Sequence, residues 1–217
     1  MKLKLSIEKT MLLATGFTCC LIAVRIIFTD TLTYIFYPWN LFLAAMPMYL
    51  SGQIVKQKML NAKTYALLLI WLLFLPNAPY IITDIFHYRE RLPVPKWYDL
   101  LIVISAAWNG LIMGLVSLLR VEKFLGDHLA KNKINFVMPV VIALCSFGVY
   151  LGRYLRFNSW DVVADADDLI FKVAAHFIHP LQHAMQWSFV VLFFMMLGLM
   201  YLTIKQLLQP IVPKLNQ

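Results

Sequence analysis

The stretch "LPNAPYIITDIFHY", Leu75–Tyr88, ends a long apolar run with side chains that lipid does not favour. It contains two prolines, an asparagine, a tyrosine, an aspartate and a histidine. A continuous helix would place five polar residues of this region on one face, because they are spaced three or four apart: Asn77, Tyr80, Asp84, His87 and Arg91. Such a stripe is expected to face the helix bundle or a wet cavity. The alternative is a helix end whose polar residues lie at the headgroup boundary.

The composition indicates a polytopic membrane protein. The chain has 217 residues, of which 61% are hydrophobic and 14% charged, with a mean hydropathy of +0.73. A soluble domain carries about a quarter charged residues. Since lipid offers no partner for backbone amides, the expected fold class is an all-α membrane helix bundle. No long polar stretch remains for a second domain, so residues 1–217 are expected to form a single transmembrane domain.

Six segments have the length and apolarity of a spanning helix, which needs about 20 residues. They are roughly 10–29, 33–54, 64–84, 98–120, 134–155 and 181–205. The first resembles a signal peptide but lacks a small-x-small cleavage site, so a retained helix is expected. Prolines 38, 47, 76 and 79 are expected to bend their helices or to leave backbone carbonyls free.

Charge in the loops predicts the orientation. Lys and Arg are concentrated on the side that holds both termini, which places that side in the cytoplasm. The net charge of +8 is therefore interpreted as a topogenic and anionic-lipid signal, with no nucleic-acid partner expected. Most Asp and His residues fall on the other, outer side. The outer loop 156–180 mixes acidic and apolar residues with helical spacing, which is typical of a helix in the membrane interface.

Further polar residues are expected at the outer end. Arg153 and Arg156 are three apart, and either ion pairs with carboxylates or a clamp on an anionic headgroup remains open. Gly148 and Gly152 form a small-xxx-small pair that permits close helix approach. Arg25 lies within one turn of the outer end of the first span, where its side chain can snorkel. The candidate substrate-binding residues are Asn40, Asn77, Tyr80, Asn109, Arg153, Arg156 and Asp161.

A divalent metal is a further hypothesis. Its candidate ligands are Asp84, His87 and His183, of which Asp84 and His87 are also the candidate catalytic acid-base residues. The histidines at 176, 179 and 183 have ligand spacing on a continuous helix, but Pro180 interrupts them and is expected to start the last span. Interfacial histidines without metal are the alternative.

The blocks "WNLFLAAMP", "LPNAPYIITDIFHY", "WYD" and "GRYLRFNSWD" resemble the domain-of-unknown-function 1361 family of bacterial multi-pass membrane proteins. The resemblance implies an integral protein of the bacterial cytoplasmic membrane and implies no activity. The loop from Asp165 to His183 lies outside the matching blocks.

Three function classes remain. The first is a membrane enzyme that acts at the outer leaflet on a lipid-linked or anionic substrate, with a polar pocket opening outward. The second is an accessory or structural subunit that docks a membrane protein partner. The third is a transporter, which is less favoured because no charged residue falls near the centre of a span.

Overall fold

The computed structural model describes residues 6–89, 93–157, 159, 161–164 and 166–208, without the side chains of residues 87, 162, 163 and 168. Within these residues the regular secondary structure is helical. The long helices are α1 (Ile7–Thr29), α2 (Phe36–Val55), α3 (Ala62–Phe74), α5 (Lys96–Gly126), α6 (Lys131–Tyr154) and α9 (Ala184–Leu207). Shorter elements are α4 (Asn77–Tyr80), a 3₁₀ segment (Ile81–His87), α7 (Asp161–Ala164) and α8 (Ala166–Ile178).

Five stretches of the described chain are long and apolar enough to cross a membrane: Ile7–Thr29, Ala62–Phe86, Lys96–Gly126, Lys131–Tyr154 and Ala184–Leu207. They confirm the expected α-helical membrane bundle. The segment predicted at 33–54 is also a helix, α2, but it is not among the five. Its prolines and polar residues, such as Asn40 and Gln53, lower its apolarity, and its buried face packs on α3 and α5.

Helix α5 is the centre of the bundle. Its residues belong to two buried clusters, one shared with α2, α3, α6 and α9, and one shared with α1, α2 and α4. Where the first cluster meets α3, the indole nitrogen of buried Trp71 donates a hydrogen bond to Ser117 Oγ over 3.1 Å. A hydroxyl partner satisfies the indole N–H, which would otherwise be costly to bury.

Pro76 and Pro79, the two prolines of Leu75–Tyr88, divide the third predicted span. Pro76 has no N–H, which removes a helical hydrogen bond and ends α3 at Phe74. The chain then continues as α4 and the 3₁₀ segment in the same general direction, so that Ala62–Phe86 remains one crossing stretch. By contrast, α2 continues through Pro47 as one helix. The expected continuous helical stripe is therefore wrong beyond Tyr80, because a 3₁₀ helix has three residues per turn.

Polar side chains gather at the two ends of the bundle. One end, here called the outer end, carries the ion pairs Arg25–Asp99 and Arg153–Asp84. The opposite, inner end carries the ion pairs Glu8–Arg120 and Glu122–Lys205. The names follow the orientation that the loop charges predict.

Candidate functional site at the outer end

The proline turn of the third span leaves backbone carbonyls that side chains satisfy. Asn77 Nδ2 donates to the carbonyl of Phe74 over 2.9 Å and to Ser159 Oγ over 2.8 Å. Ser159 Oγ in turn donates to the carbonyl of Leu73 over 2.9 Å. The expectation that the prolines free carbonyls is thus confirmed here, and Ser159 is a residue that the sequence analysis missed. A free carbonyl near an Asn-Pro turn needs a donor, which is the signal that a search for it could use.

Helix α6 approaches this turn closely through the predicted pair of glycines. A Cβ at Gly148 would lie 2.4 Å from Pro76 Cγ, and one at Gly152 would lie 3.4 Å from the Tyr80 ring. Only a residue without a side chain fits at the first position. The small-xxx-small pair therefore permits the close approach that was expected, and its partners are Pro76 and Tyr80 of the third span.

This approach brings Arg153 of α6 to Asp84 of the 3₁₀ segment. Arg153 Nη1 donates to Asp84 Oδ1 over 3.0 Å, and its guanidinium lies 5.9 Å from the centre of the Tyr80 ring. Asp84 is only 9% exposed. Its other oxygen, Oδ2, is buried without a hydrogen-bond partner among the described residues. The Asn40 amide also faces this carboxylate.

A second ion pair lies at the same end of the bundle. Arg25 of α1 donates from Nε to Asp99 Oδ1 over 2.6 Å and from Nη2 to Asp99 Oδ2 over 3.1 Å. Arg25 is 2% exposed and Asp99 is 1% exposed. Snorkelling of Arg25 was therefore the wrong expectation, because a bidentate carboxylate partner on α5 compensates its charge inside the bundle.

Two stacked tyrosines, Tyr34 and Tyr37, lie beside the Arg25–Asp99 pair. The Arg25 guanidinium is 5.2 Å from the centre of the Tyr34 ring, and Tyr34 stacks on Tyr37 with ring centres 5.8 Å apart. Tyr37 is buried within electrostatic reach of Asp84 and Arg153. The aromatic pair therefore packs on the Arg25 side, and the charges of the second ion pair act on Tyr37.

A cavity of about 340 Å³ lies beside the Asp84–Arg153 pair. Its walls come from α2, α3, α4, α6, α8 and the loop after α6. The polar lining residues are Asn40, Asn77, Tyr80 and Ser159, and the remaining walls are largely apolar. Asn40 and Tyr80 contact both the cavity and the ion pair, so they connect the two.

Cationic side chains border the cavity. The Lys172 ammonium lies 4.9 Å from the centre of the Phe157 ring, and Phe157 lines the cavity. Arg156, the residue before Phe157, is exposed and has a left-handed backbone with φ of 60°. With Arg153 over Tyr80, two cations therefore lie against aromatic lining residues, and Arg156 adjoins one of these residues in the chain, which favours an anion near this border.

Comparison with known families and structures gives one finding. The profile of the family described as "Protein of unknown function (DUF1361)" matches residues 39–200, which is most of the chain. The chain belongs to this family. No curated protein and no solved structure matches the chain significantly. In this DUF1361 chain the match extends from residue 39 in α2 to residue 200 in α9 and therefore includes all the residues that line the cavity, whereas α1 precedes it.

The structure brings together some of the predicted site residues of this DUF1361 chain. Asn40, Asn77 and Tyr80 line the cavity, and Asp84 and Arg153 pair beside it. Asp161 is half-buried in the first turn of α7. The side chain of His87 and the whole of Arg91 lie outside the described residues.

Asn109 lies elsewhere. It is buried in α5, and its Nδ2 donates to Thr18 Oγ1 of α1 over 2.9 Å. Thr18 Oγ1 also shares a 2.7 Å hydrogen bond with Ser105 Oγ. The structure therefore places Asn109 in the contact between α1 and α5, away from the cavity. A polar residue inside a span was interpreted as a site residue, although ordinary hydroxyls on neighbouring turns satisfy it.

The histidines form a stack instead of a continuous helical row. Helix α9 begins at Ala184, so the expectation that Pro180 starts it was wrong; residues 180–183 form a turn. This turn brings the His183 ring 4.0 Å from the His176 ring. Buried His176 shares a 2.8 Å hydrogen bond with the Tyr150 hydroxyl.

Among the described side chains, no group of three His, Cys, Asp or Glu residues has metal-binding geometry. Of the proposed ligands, Asp84 pairs with Arg153 on α6, whereas His183 stacks on His176 between α8 and α9. These two residues have different partners on different elements.

Proposed function

We propose that the protein binds an amphipathic, lipid-linked anion in the outer cavity, with the apolar part between the helices and the anionic group at the cationic border. The observation that carries this proposal is the composition of the cavity. Its largely apolar walls include four polar residues, and two cations, Arg153 and Lys172, lie over aromatic lining residues. Ligand sites of this kind combine apolar walls with few convergent polar groups.

The chain is proposed to form a single domain in a bacterial cytoplasmic membrane, with both termini inside and the cavity open outward.

The polar lining can hold an anion in two ways. The Tyr80 hydroxyl in the lining carries an O–H donor, and the side chain of Arg156, the residue next to Phe157 in the chain, is exposed. Charge-assisted hydrogen bonds from an arginine to phosphate are stronger than neutral ones. A phosphate or carboxylate headgroup is therefore the favoured polar part of the ligand.

One observation favours catalysis on this ligand over binding alone. Asp84 Oδ2 is buried beside the cavity without a hydrogen bond from the described residues. A buried, unsatisfied carboxylate oxygen is costly, and such groups are concentrated at functional sites. Asp84 is accordingly proposed as the acid-base residue of a hydrolysis or transfer reaction, with His87 one 3₁₀ turn further along the chain as its proposed partner.

A structural role of the same ion pair is the second candidate. Arg153 satisfies Asp84 Oδ1 and packs on Tyr80, so the pair also joins α6 to the third span. In an accessory subunit that docks a membrane partner, this contact would serve only to support the outer surface.

Binding is tested with a photoreactive isoprenyl phosphate added to the purified protein in detergent. Leu73→Trp fills the cavity wall, whereas Leu69→Trp adds the same side chain to an exposed position on the same helix. We expect labelling to fall about ten-fold in Leu73→Trp and to stay unchanged in Leu69→Trp. Equal labelling in both variants would reject the cavity as the ligand site.

The role of Asp84 is tested by release of a water-soluble product from the same lipid phosphate, measured by mass spectrometry. Asp84→Asn keeps the shape of the side chain and an acceptor for Arg153. An enzyme predicts a fall in product release of at least about 100-fold with a thermal midpoint near that of the native protein. An accessory subunit predicts no product from either protein, together with a lower midpoint for Asp84→Ala. Asp127→Asn, an exposed residue at the inner end, is the control.

A further inference from the structure

A groove separates α1 from α2, although the two helices are consecutive in the chain. Among the described residues, the polar contacts of α1 with another helix go to α5: Arg25 with Asp99, Thr18 with Ser105 and Asn109, Leu21 O with the Tyr98 hydroxyl, and Glu8 with Arg120. Helix α1 is therefore attached along its length to α5. The space beside it, between α1 and α2, has a volume of about 840 Å³.

The groove is nearly as long as the hydrocarbon core of a bilayer is thick. Its lining on α2 extends from Pro38 to Lys56, and at 1.5 Å per residue this distance is about 27 Å. The hydrocarbon core of a bilayer is about 30 Å thick. The α2 side of the groove therefore follows nearly the whole depth of the hydrocarbon region.

Charge is confined to one end of the groove. Glu8, Lys56 and Arg120 line it at the inner end, and the lining towards the outer end is mainly apolar, with residues such as Leu41 and Phe42. Arg120 is held in place there, because Nη2 contacts Glu8 and Nη1 donates to the carbonyl of Met48. The two cations exceed the one carboxylate, so this end of the groove is positive.

We propose that the groove binds one anionic glycerophospholipid from the inner leaflet. Its phosphate lies against Lys56 and Arg120, and an acyl chain extends along α2 towards Pro38. Basic pockets between transmembrane helices on the cytoplasmic side are suited to anionic headgroups. Gly52 leaves room for the chain, since a Cβ at this position would have only Arg120 Nη1 nearby, at 3.8 Å.

A second observation within the groove agrees with an ester-linked lipid. The Thr15 hydroxyl lies in the lining about 10 Å along α1 from Glu8, and it has no hydrogen-bond partner among the described residues. The ester carbonyls of a glycerophospholipid lie below its phosphate on the hydrocarbon side. A carbonyl at this depth would accept the Thr15 O–H after rotation of the side chain.

The experiment is a titration of delipidated protein in detergent, followed by native mass spectrometry. Phosphatidylglycerol is compared with phosphatidylcholine of the same acyl chains. We expect one molecule of phosphatidylglycerol to bind at least five-fold more tightly than phosphatidylcholine. Lys56→Gln is expected to weaken phosphatidylglycerol binding about five-fold, whereas Lys63→Gln, an exposed lysine at the same end but outside the groove, is expected to bind normally.

Two glycine substitutions test the part of the groove that is proposed to hold the acyl chain. Gly52→Leu fills the groove, and Gly198→Leu adds the same side chain to α9, where a Cβ has no neighbour within 4 Å. Loss of both lipids in Gly52→Leu alone supports the groove. Equal affinity for the two lipids, or normal phosphatidylglycerol binding in both Lys56→Gln and Gly52→Leu, would overturn the proposal. If Gly52→Leu does not fold, the lysine pair decides.

Discussion

Gly148 of α6 lies against Pro76 so closely that a Cβ on the glycine would be 2.4 Å from the proline Cγ. The contact joins the helix break of the third span to the helix that carries Arg153. Because the proline ring is rigid, the backbones themselves would have to separate to accept a side chain.

Gly148→Ala is expected to destabilise the protein, whereas Gly198→Ala is expected to stabilise it. Overpacking costs about 1–3 kcal/mol, which exceeds the ~1 kcal/mol that alanine gains over glycine in a helix. At Gly198 a Cβ meets nothing within 4 Å, so only the gain remains. Thermal unfolding in detergent measures both. A higher midpoint for Gly148→Ala would contradict the close contact.

Arg25→Lys is expected to lower the free energy of unfolding by about 2 kcal/mol. Lysine cannot reproduce the two parallel hydrogen bonds that the guanidinium donates to Asp99, and it remains charged in a buried position. The same exchange at exposed Arg156 is the control and is expected to change stability by less than ~0.5 kcal/mol. Equal effects in the two variants would show that the Arg25–Asp99 geometry is unimportant for stability.

Asn109→Ala is expected to destabilise the contact between α1 and α5 by about 1–3 kcal/mol without changing ligand labelling. The substitution removes the N–H donated to Thr18 and leaves buried polar atoms with fewer partners. Asn77→Ala, which changes a residue of the cavity, is expected to reduce labelling by the isoprenyl phosphate. Reduced labelling of Asn109→Ala at unchanged stability would show that Asn109 contributes to ligand binding.

His183 and His128 are expected to change the pH dependence of stability in opposite directions. Burial, followed by the neighbouring His176 and His179, lowers the pKa of His183. Its contribution is therefore present above the unfolded pKa of about 6.5 and is lost as the pH falls through and below that value. The carbonyls of Phe124 and Lys58, which accept hydrogen bonds from the ring, raise the pKa of His128. Its contribution is present below about 6.5 and is lost as the pH rises through the raised pKa.

The measurement is the thermal midpoint of His183→Gln, His128→Gln and the native protein between pH 5.5 and 8 (about one unit or more on each side of the histidine value). The His183 variant is expected to lose less stability than the native protein on acidification. The His128 variant is expected to lose less on alkalinisation. Parallel curves for all three proteins would show that neither histidine is linked to folding.

Hydropathy and length predicted the helical bundle because a spanning helix must bury its own backbone hydrogen bonds and expose apolar side chains to lipid. Local sequence rules predicted the disturbance of the helix at Pro76 and the close helix approach at Gly148, because both depend on the residue type at one position. The partners of individual side chains could not be predicted in this way. The partner of Arg25 is 74 residues away, and no spacing within one helix indicates it.

The candidate site was predictable in part for the same reason. Asn77 and Tyr80 were found from their position at the end of one apolar run, and both line the cavity. Ser159 was missed because a single serine in a loop has no periodicity, and its role depends on the Leu73 carbonyl that the prolines expose. Asn109 was grouped with the residues of the outer end because a sequence does not show that Thr18 and Ser105 lie next to it.

The separation between Arg25 and Asp99 has a consequence for biogenesis. During synthesis α1 enters the membrane long before the ribosome has made α5, so its arginine has no carboxylate to bind in the meantime. Until then the side chain has to remain hydrated at the lipid headgroups, which its place near the end of α1 permits. Docking of the first helix is therefore a late step of assembly, and a truncated chain that stops before residue 99 should leave α1 detached from the other helices.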